Sequence, residues 1–245
     1  MTVNSHASPD ISLVIPVYNE EESLQELCQE LLAVLGNTSL PFEIIFVDDG
    51  SQDRSKAILK EFAQKDERIK IVCFRNNRGQ SAAFAAGFRI AQGRIVVTMD
   101  ADLQNDPHDI PLLLNKITSF DVVCGWRAYR QDPLVKKISS RIANRIRNWL
   151  SDEQISDVGC SLKAFRRECL QSFYYFNGMH RFFPTLLKME GYSVTEVKVN
   201  HRSRKYGETK YGIRNRAFRG LLDLLAVRWM KCRHIHYEIE EIING

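Results

Sequence analysis

A regular alternation of strand-like and helix-like segments is the feature that most constrains how this chain folds. The first half contains the β-rich runs ISLVIPV, FEIIFVDDG, IKIVCF and RIVVTMDAD. Segments with helical periodicity lie between them, at about residues 21–35, 55–65 and 80–91. Because this order requires crossover helices between parallel strands, it predicts an α/β fold with a mostly parallel sheet flanked by helices.

Polar clusters follow each of the four predicted strands. They read PVYNEE, DDGSQD, RNNRG and DADLQ in chain order. Any one of them alone is best explained as an ordinary surface loop. In open α/β sheets, however, ligands lie beyond the carboxyl ends of the strands. The shared placement of the four clusters therefore predicts a ligand site at one edge of the sheet.

Size and composition limit the remaining possibilities. A chain of 245 residues that is 44% hydrophobic has enough material for one substantial core, so one domain is the simplest expectation. The net charge of +4 is too small to favour nucleic-acid binding. The six cysteines show neither CxxC pairs nor zinc spacing, which favours reduced, mostly buried thiols in the cytosol. No signal peptide and no apolar run of about 20 residues is present, so we expect no spanning helix.

Two acidic residues, Asp100 and Asp102, end the predicted strand RIVVTM at alternate positions. Hard cations such as Mg²⁺ or Mn²⁺ prefer carboxylate and phosphate oxygens, and Gln104 adds a neutral oxygen nearby. A pair of this spacing alone arises more often by chance or as a helix cap. Its position among the four polar clusters favours a metal site.

Another acidic pair, Asp48 and Asp49, ends the strand FEIIFV. One interpretation is a turn in which Ser51 or Asp53 caps the next helix. The other is a carboxylate that binds a base or a ribose at the sheet edge. The sequence lacks GxGxxG and GxxxxGK[ST], so phosphate would have to be held by a metal ion and basic side chains.

Seven motifs occur in a fixed order over residues 11–212. They are VIPVYNEEESL, IIFVDDGSQDRS, NNRGQSAAFAAGF, IVVTMDADLQNDP, VCGWRAYR, DVGCSLKAFRR and RKYGETKYG. Together they resemble the family 2 glycosyltransferases with a GT-A fold, in the branch of dolichyl-phosphate mannosyltransferase and the bacterial polyprenyl-phosphate glycosyltransferases. The resemblance implies a metal-dependent, inverting enzyme that moves a hexose from a UDP- or GDP-sugar to dolichyl or undecaprenyl phosphate. We expect a catalytic domain over 1–212, followed by an amphipathic helix and an acidic tail over 213–245, where many relatives carry spanning helices.

The resemblance assigns roles on the donor side. The positions that match the family's nucleoside contacts are Pro16, Tyr18, Glu20 and Asp49. Those that match its metal and diphosphate contacts are Asp100, Asp102 and Gln104. In the basic segment HRSRKYGETKYG (residues 201–212), Arg204 and Lys210 match a pattern that closes over the donor phosphates. The alternative for this segment is a solvated basic loop.

On the acceptor side, Arg127 and Arg141 resemble positions that grip a lipid monophosphate, with Arg145 as a helper. Guanidinium groups suit this task because they bind phosphate in a bidentate manner. A phosphate monoester is already largely ionised near neutral pH, since its second pKa is about 6. Asp157 is therefore either a general base or a residue that orients the acceptor or the sugar.

Two basic, amphipathic segments are predicted as helices, at residues 134–150 and about 214–231. Their apolar faces either pack in the ordinary way or meet lipid headgroups through Trp149, Phe218 and Trp229, while Lys and Arg attract anionic lipid. We expect peripheral attachment to the cytoplasmic face of a membrane. Binding to a membrane-protein partner and formation of a homodimer are two further ways for the protein to reach its lipid acceptor.

Two other functions compete with a polyprenyl-phosphate glycosyltransferase. A transferase to a saccharide acceptor needs an activated hydroxyl and leaves Arg127 and Arg141 without a phosphate. A catalytically silent nucleotide-binding subunit of a membrane complex does not need Asp100 and Asp102. The histidines show no metal-ligand spacing, and we expect packing, capping or surface roles for His108, His180 and His201, of which His201 is the exception to test because it adjoins the basic segment.

Overall fold

Seven strands form one sheet in the computed structural model, which describes residues 8–128, 155–203, 205, 213–235 and 241. The strands are β1 (Ile11–Val17), β2 (Phe42–Asp48), β3 (Ile69–Cys73), β4 (Ile95–Thr98), β5 (Val122–Trp126), β6 (Lys163–Arg166) and β7 (Val194–Lys198). Their order across the sheet is β3-β2-β1-β4-β6-β5-β7. Only β6 of these seven runs antiparallel to its neighbours. The predicted mostly parallel sheet is confirmed.

Helices join and flank these strands. They are α1 (Glu21–Gly36), α2 (Ser55–Lys65), α3 (Gln80–Ile90), α4 (Ile110–Lys116), α5 (Phe183–Met189) and α6 (Ile213–Arg233). The four that the sequence predicts in this part of the chain, α1, α2, α3 and α6, lie within two residues of their expected bounds. The predicted helix at 134–150 and the proposed domain boundary at residue 212 lie outside the described residues.

The core consists of two layers, one on each face of the sheet. Leu13 and Ile15 of β1 lie in one cluster with Leu27 of α1, whereas Val14 lies in the other with Phe84 of α3. Successive side chains of a strand point to opposite faces. Because β1 and β2 are covered on both faces, they are apolar almost throughout instead of alternating with polar residues.

The C-terminal helix α6 packs through one narrow face on the core layer that contains Val14 and Phe84. Leu224 and Val227 are buried there, and Asp223 pairs with Arg181 at 3.2 Å. The apolar residues that the sequence offers on this helix for packing or for a lipid-facing stripe include Leu221, Leu222, Leu225 and Trp229, and all four are exposed. The side chain of Phe218 lies outside the described part. Ordinary packing therefore does not account for the described part of this stripe.

The structure also shows the state of the cysteines and the apolar content of the helices. All six cysteines are free thiols, of which four are buried and two, Cys73 and Cys232, are exposed, so the predicted reduced thiols are confirmed. Burial raises the pKa of the Cys28 thiol to about 12. None of the helices in the described ranges has the length and apolar content needed to cross a membrane.

Candidate functional site

The carboxyl ends of β1 and β2 are joined by a set of short hydrogen bonds. Asn19, in the YNEE cluster, donates its N–H to Ser51 Oγ at 3.0 Å and accepts the Gln52 N–H at Oδ1, at 2.8 Å. Asn19 itself has a left-handed φ of 53°. The Glu20 N–H donates to Ser55 Oγ at 2.8 Å. Two of the four predicted clusters thus form a single rigid rim.

Asp53 connects the starts of the first two helices. Its carboxylate accepts the N–H of Ser55 at 2.9 Å and that of Glu21 at 3.2 Å. These N–H groups have no partner within the first turn of a helix, so the contacts satisfy donors that would otherwise need water. The capping interpretation of the DDGSQD cluster is therefore correct for Asp53.

The residues predicted to hold a nucleoside lie together at this rim. Pro16, Tyr18 and Glu20 are half-buried at or just beyond the end of β1, where Val17 pairs with Asp48 of β2. Pro16 lies beyond Val14, the last residue of β1 paired with β4. Its missing N–H therefore removes no bond from that ladder. Contact with a nucleoside stays a prediction.

Asp49 already has a structural task. It is buried, and its two carboxylate oxygens accept the backbone N–H groups of Arg78 at 2.6 Å and Gly79 at 2.8 Å, just before α3. Desolvation raises the pKa of this carboxyl, against the lowering effect of the two N–H groups. An ionised carboxylate offers about four acceptor positions, so room remains for a ligand hydrogen bond. Gly50 follows with φ 73°, and a Cβ there would lie 2.7 Å from the Asn76 backbone.

The predicted metal pair lies in the loop after β4, residues 100–106, called the DAD loop below. Asp100 Oδ1 accepts the Gln80 side-chain amide at 2.6 Å. Burial and the neighbouring charge of Asp102 raise the pKa of Asp100 to about 6. Asp102 Oδ1 accepts the Gln104 N–H at 3.2 Å. Two carboxylates that repel each other in this way fit a divalent cation, because such an ion offsets their charge and prefers oxygen ligands.

The predicted acceptor residue Arg127 and the candidate base Asp157 form a buried ion pair. Arg127 Nε donates to Asp157 Oδ2 at 2.6 Å and Nη2 donates to Oδ1 at 3.0 Å. Only 12% of the arginine side chain and 6% of the aspartate side chain are exposed. Since both oxygens of Asp157 already accept from Arg127, this geometry favours the orienting role over the base role. Arg141 and Arg145 lie outside the described residues.

Three residues that the sequence interpretation did not assign hold this part of the site together. Gln80 binds Asp100 as given above, and Ser161 Oγ donates to Asn105 Oδ1 at 2.7 Å. Lys163 is buried, and its Nζ donates to the carbonyls of Val158 and Cys160. A lysine inside the apolar run SLKAF was the one visible signal. Gln80 and Ser161 are ordinary polar residues in sequence, so only their contacts identify them.

A second acidic group lies at the far end of the DAD loop. Glu30, Asp106 and His108 bring ligand atoms within 4.8 Å of one another, a geometry that suits a metal ion. The spacing of His108 gave no hint of this. Arg202, however, binds Glu30 at 2.7 and 2.9 Å and Asp106 at 2.7 Å, so a guanidinium already offsets these charges. The basic residues Arg204 and Lys210 lie outside the described part of the chain.

Comparison with known sequences identifies relatives of the chain. The model of glycosyl transferase family 2 matches residues 12–173. A dodecaprenyl-phosphate galacturonate synthase of Rhizobium johnstonii is 36% identical over 239 residues, which cover 94% of this chain and 70% of that protein. An undecaprenyl-phosphate 4-deoxy-4-formamido-L-arabinose transferase of Pectobacterium carotovorum is 41% identical over 204 residues, or 82% of this chain. The chain spans only 62% of the length of this second relative.

Comparison with solved structures identifies the fold. A glucosyl-3-phosphoglycerate synthase from Mycobacterium tuberculosis, solved with Mn²⁺, UDP and phosphoglyceric acid, gives a TM-score of 0.69 at 18% identity, over 91% of this chain and 78% of that one. A mannosyltransferase from Pyrobaculum calidifontis, solved with GDP-Man and Mn²⁺, gives 0.63 at 20% identity, over 95% and 66%. The chain therefore belongs to glycosyl transferase family 2 and has the GT-A fold.

Proposed function

We propose that this protein is an inverting glycosyltransferase that moves a hexose from a nucleotide-diphosphate sugar to a polyprenyl phosphate, dolichyl or undecaprenyl. The observation that carries the proposal is the placement of a largely buried guanidinium, Arg127, close to Asp100 of the DAD loop. Arg127 and Asp100 are close enough to affect each other's pKa. A site for a donor diphosphate thus adjoins a site for a second phosphate. The names of the two relatives, which use dodecaprenyl and undecaprenyl phosphate, support this acceptor.

On the donor side, Asp100, Asp102 and Gln104 would hold a Mg²⁺ or Mn²⁺ ion, which when bound would supply positive charge to offset that of the leaving diphosphate. Pro16, Tyr18, Glu20 and Asp49 line the nucleoside position. Arg204 and Lys210 approach the donor phosphates from the basic segment. The metal and nucleotide in the two solved neighbours, UDP or GDP with Mn²⁺, support this arrangement.

On the acceptor side, Asp157 fixes the plane of the Arg127 guanidinium. An arginine has five N–H donors, and Asp157 uses one on Nε and one on Nη2. Three donors therefore stay free of Asp157 and are available to the acceptor phosphate, with Arg141 as the second guanidinium. The ionised phosphate oxygen attacks the sugar carbon from the side opposite the diphosphate, which inverts that carbon. Because no hydroxyl needs deprotonation, positioning contributes more than a general base.

Attachment to the cytoplasmic face of a membrane completes the proposal. The described part of α6 presents Leu221, Leu225 and Trp229 to solvent, with Trp229 65% exposed. Arg228, Lys231 and Arg233 lie on the same helix. Exposed apolar side chains among basic ones suit the surface of an anionic bilayer, where each cation contributes about 1 kcal/mol. A homodimer or a membrane-protein partner is the competing occupant of this face.

The direct test is an incubation of the purified chain with polyprenyl phosphate in detergent, Mn²⁺ or Mg²⁺, and a panel of UDP- and GDP-hexoses. We expect one donor to give a hexosyl phospholipid, detected by mass spectrometry. Transfer to a saccharide but not to the lipid phosphate would support the competing saccharide transferase. Nucleotide binding without transfer from any donor would support a silent subunit.

A further inference from the structure

We propose that Arg202 is a positioning residue of the cation site, because it holds the end of the DAD loop in the conformation that presents Asp102 and Gln104. Arg202 touches neither Asp100 nor Asp102 in the described contacts, and the motif comparison gives it no role. The proposal rests on the proposed function only in taking Asp100 and Asp102 as cation ligands.

The DAD loop needs an external support because it contains an unfavourable backbone conformation. Leu103, between Asp102 and Gln104, has φ 59°, in the left-handed region that residues other than glycine rarely occupy. The Leu103 side chain is buried in the core layer that contains Leu13 and Ile15. A conformation of this kind costs free energy and persists only where the surrounding contacts fix it.

Residues 200–202 supply contacts of that kind along one side of the loop. The Arg202 N–H donates to the Gln104 carbonyl at 2.9 Å, and His201 forms an antiparallel bridge with Asn105. The Asn200 N–H donates to Asp109 Oδ2 at 2.6 Å. The segment therefore pairs with the loop like a short strand, immediately after Asp102.

The guanidinium of Arg202 then fastens this pairing to helix α1. Nη1 and Nη2 donate to the two oxygens of Glu30 at 2.9 and 2.7 Å, and Nη2 also donates to Asp106 at 2.7 Å. The planar guanidinium makes these three hydrogen bonds to two carboxylates at once, whereas the ammonium of a lysine does not match this geometry. Its charge also separates two carboxylates that would otherwise repel each other beside His108. Without Arg202 the DAD loop loses this contact with α1, and Glu30, Asp106 and His108 become a competing cation site.

The test measures Mn²⁺ binding in the presence of UDP or GDP, by electron paramagnetic resonance of free Mn²⁺. We expect Arg202→Met to weaken binding at the Asp100–Asp102 site about tenfold, a size typical for loss of a residue that orients metal ligands. Arg202→Lys should recover part of the loss. Glu30→Gln should weaken binding in the same direction. The Arg202→Met/Glu30→Gln double variant should lose less than the two single effects combined, because both remove one contact.

Glu26→Gln is the matched control. Glu26 lies one turn before Glu30 on α1 and pairs with Lys205 at 2.5 Å, so it joins the same two segments without touching the DAD loop. We expect this variant to bind Mn²⁺ like the wild type. The extra weak Mn²⁺ site expected in Arg202→Met should disappear in the double variant.

Two outcomes would overturn the proposal. One is wild-type Mn²⁺ affinity in both Arg202→Met and Glu30→Gln, and the other is an equal loss in Glu26→Gln. Asp102→Asn separates this from failure of the proposed function. If Asp102→Asn binds Mn²⁺ normally, the cation site itself is wrong. If Asp102→Asn abolishes binding while Arg202→Met retains it, only the role of Arg202 is wrong.

Discussion

At the scale of single residues, the site is a set of charges that the fold brings close and then partly offsets. Asp100 and Asp102 repel each other, and the Gln80 amide donates a hydrogen bond to Asp100. Arg127 and Asp157, by contrast, offset each other almost completely within a buried pair. The first pair therefore keeps a net repulsion that a bound cation would offset, whereas the second can bind a ligand only through its remaining donors. This difference leads to opposite expectations for substitutions in the two pairs.

Asp100→Asn should stabilise the metal-free protein. The folded-state pKa of Asp100 is about 6, above the value of about 3.9 for an unfolded chain. The folded state therefore binds more protons between these values, and wild-type stability falls as pH rises from about 4 to about 6. We expect the variant to gain about 3 kcal/mol in free energy of unfolding at pH 7.5 and little at pH 4. Urea titrations in EDTA measure the free energy of unfolding at both pH values. Equal stabilities of the variant and the wild type at pH 7.5 would contradict the repulsion between Asp100 and Asp102.

Arg127→Ala should affect the lipid phosphate and spare the nucleotide. We expect the KM for polyprenyl phosphate to rise at least about tenfold, because a bidentate charged contact contributes about 1.5–3 kcal/mol. The dissociation constant for UDP or GDP, measured by calorimetry, should stay within about twofold. Arg166→Ala is the control. Arg166 lies 3.5 Å from Asp121, at the end of β6 that pairs with the start of β4, whereas the DAD loop follows the other end of β4. Loss of nucleotide affinity alone would remove Arg127 from the acceptor site.

Asp157→Asn distinguishes the two roles left open for that carboxylate. If Asp157 orients Arg127, the variant should raise the KM for the lipid phosphate and leave the shape of the pH profile of kcat unchanged. A general base would instead lower kcat and remove the rising limb of that profile. Steady-state rates from pH 5 to 9 decide between them.

At the scale of helices and strands, one element can carry both a structural contribution and a predicted functional one. The end of β2 shows this most clearly, since Asp49 holds the N–H groups that precede α3 while lying at the predicted nucleoside position. Helix α3 in turn begins at Gln80, which reaches Asp100. Helix α6 packs through Leu224 and Val227 and leaves its opposite apolar side chains uncovered. We take this uncovered face as the candidate interaction surface.

Replacing Leu225 and Trp229 by Gln should weaken binding of the protein to anionic vesicles at least about fivefold, because burial of a large apolar side chain contributes roughly 1.5–3 kcal/mol. Co-sedimentation with vesicles that contain phosphatidylglycerol measures the change. Leu112→Gln is the matched control, because Leu112 on α4 is 49% exposed and carries no proposed role. Unchanged vesicle binding, together with a shift from dimer to monomer in size-exclusion chromatography, would assign this face to a second copy of the chain.

At the scale of the whole molecule, the sheet order collects residues that are far apart in the chain. Strands β2, β1 and β4 lie side by side, and β6 brings Lys163 next to Thr98 at the end of β4. Arg202 joins Glu30, 172 positions earlier, at the same edge. Ligand binding at such a convergence should stabilise the whole chain, since its parts unfold together.

Donor and metal together should therefore raise the melting temperature. At ligand concentrations about 100 times the dissociation constant, binding adds about 2.7 kcal/mol, which corresponds to about 5–10 °C for a chain of this size. Differential scanning fluorimetry with Mn²⁺ and UDP or GDP measures the shift. Asp102→Asn should remove most of it, and an equal shift in that variant would contradict metal-bridged binding.

Much of the fold was predictable from sequence, because it depends on local periodicity. The first four strands, helices α1, α2, α3 and α6, and the parallel pairing all follow from the spacing of apolar residues. The buried thiols follow from the absence of paired spacing. The short helices α4 and α5 and the antiparallel β6 were not predicted, since a few residues carry too weak a period.

The candidate site was predictable in part. The motif positions Asp100, Asp102, Arg127 and Asp157 do lie at one edge of the sheet, as the ends of parallel strands require. The residues that hold this site together were not predictable, because Gln80, Ser161 and Arg202 carry no pattern of their own. The exposed face of α6 was predicted only as one of two alternatives, since periodicity identifies an apolar stripe but not what covers it.

By itself, the sequence determined the first four strands, the longer helices α1, α2, α3 and α6, the mostly parallel arrangement and the family, because these depend on local spacing and on ordered motifs. Only the tertiary structure decided which charges are paired. It placed Asp157 on Arg127, left Asp100 against Asp102, and joined Arg202 to Glu30 and Asp106. Ion pairing depends on distances of a few ångströms between segments remote in the chain, and the chain order does not contain those distances.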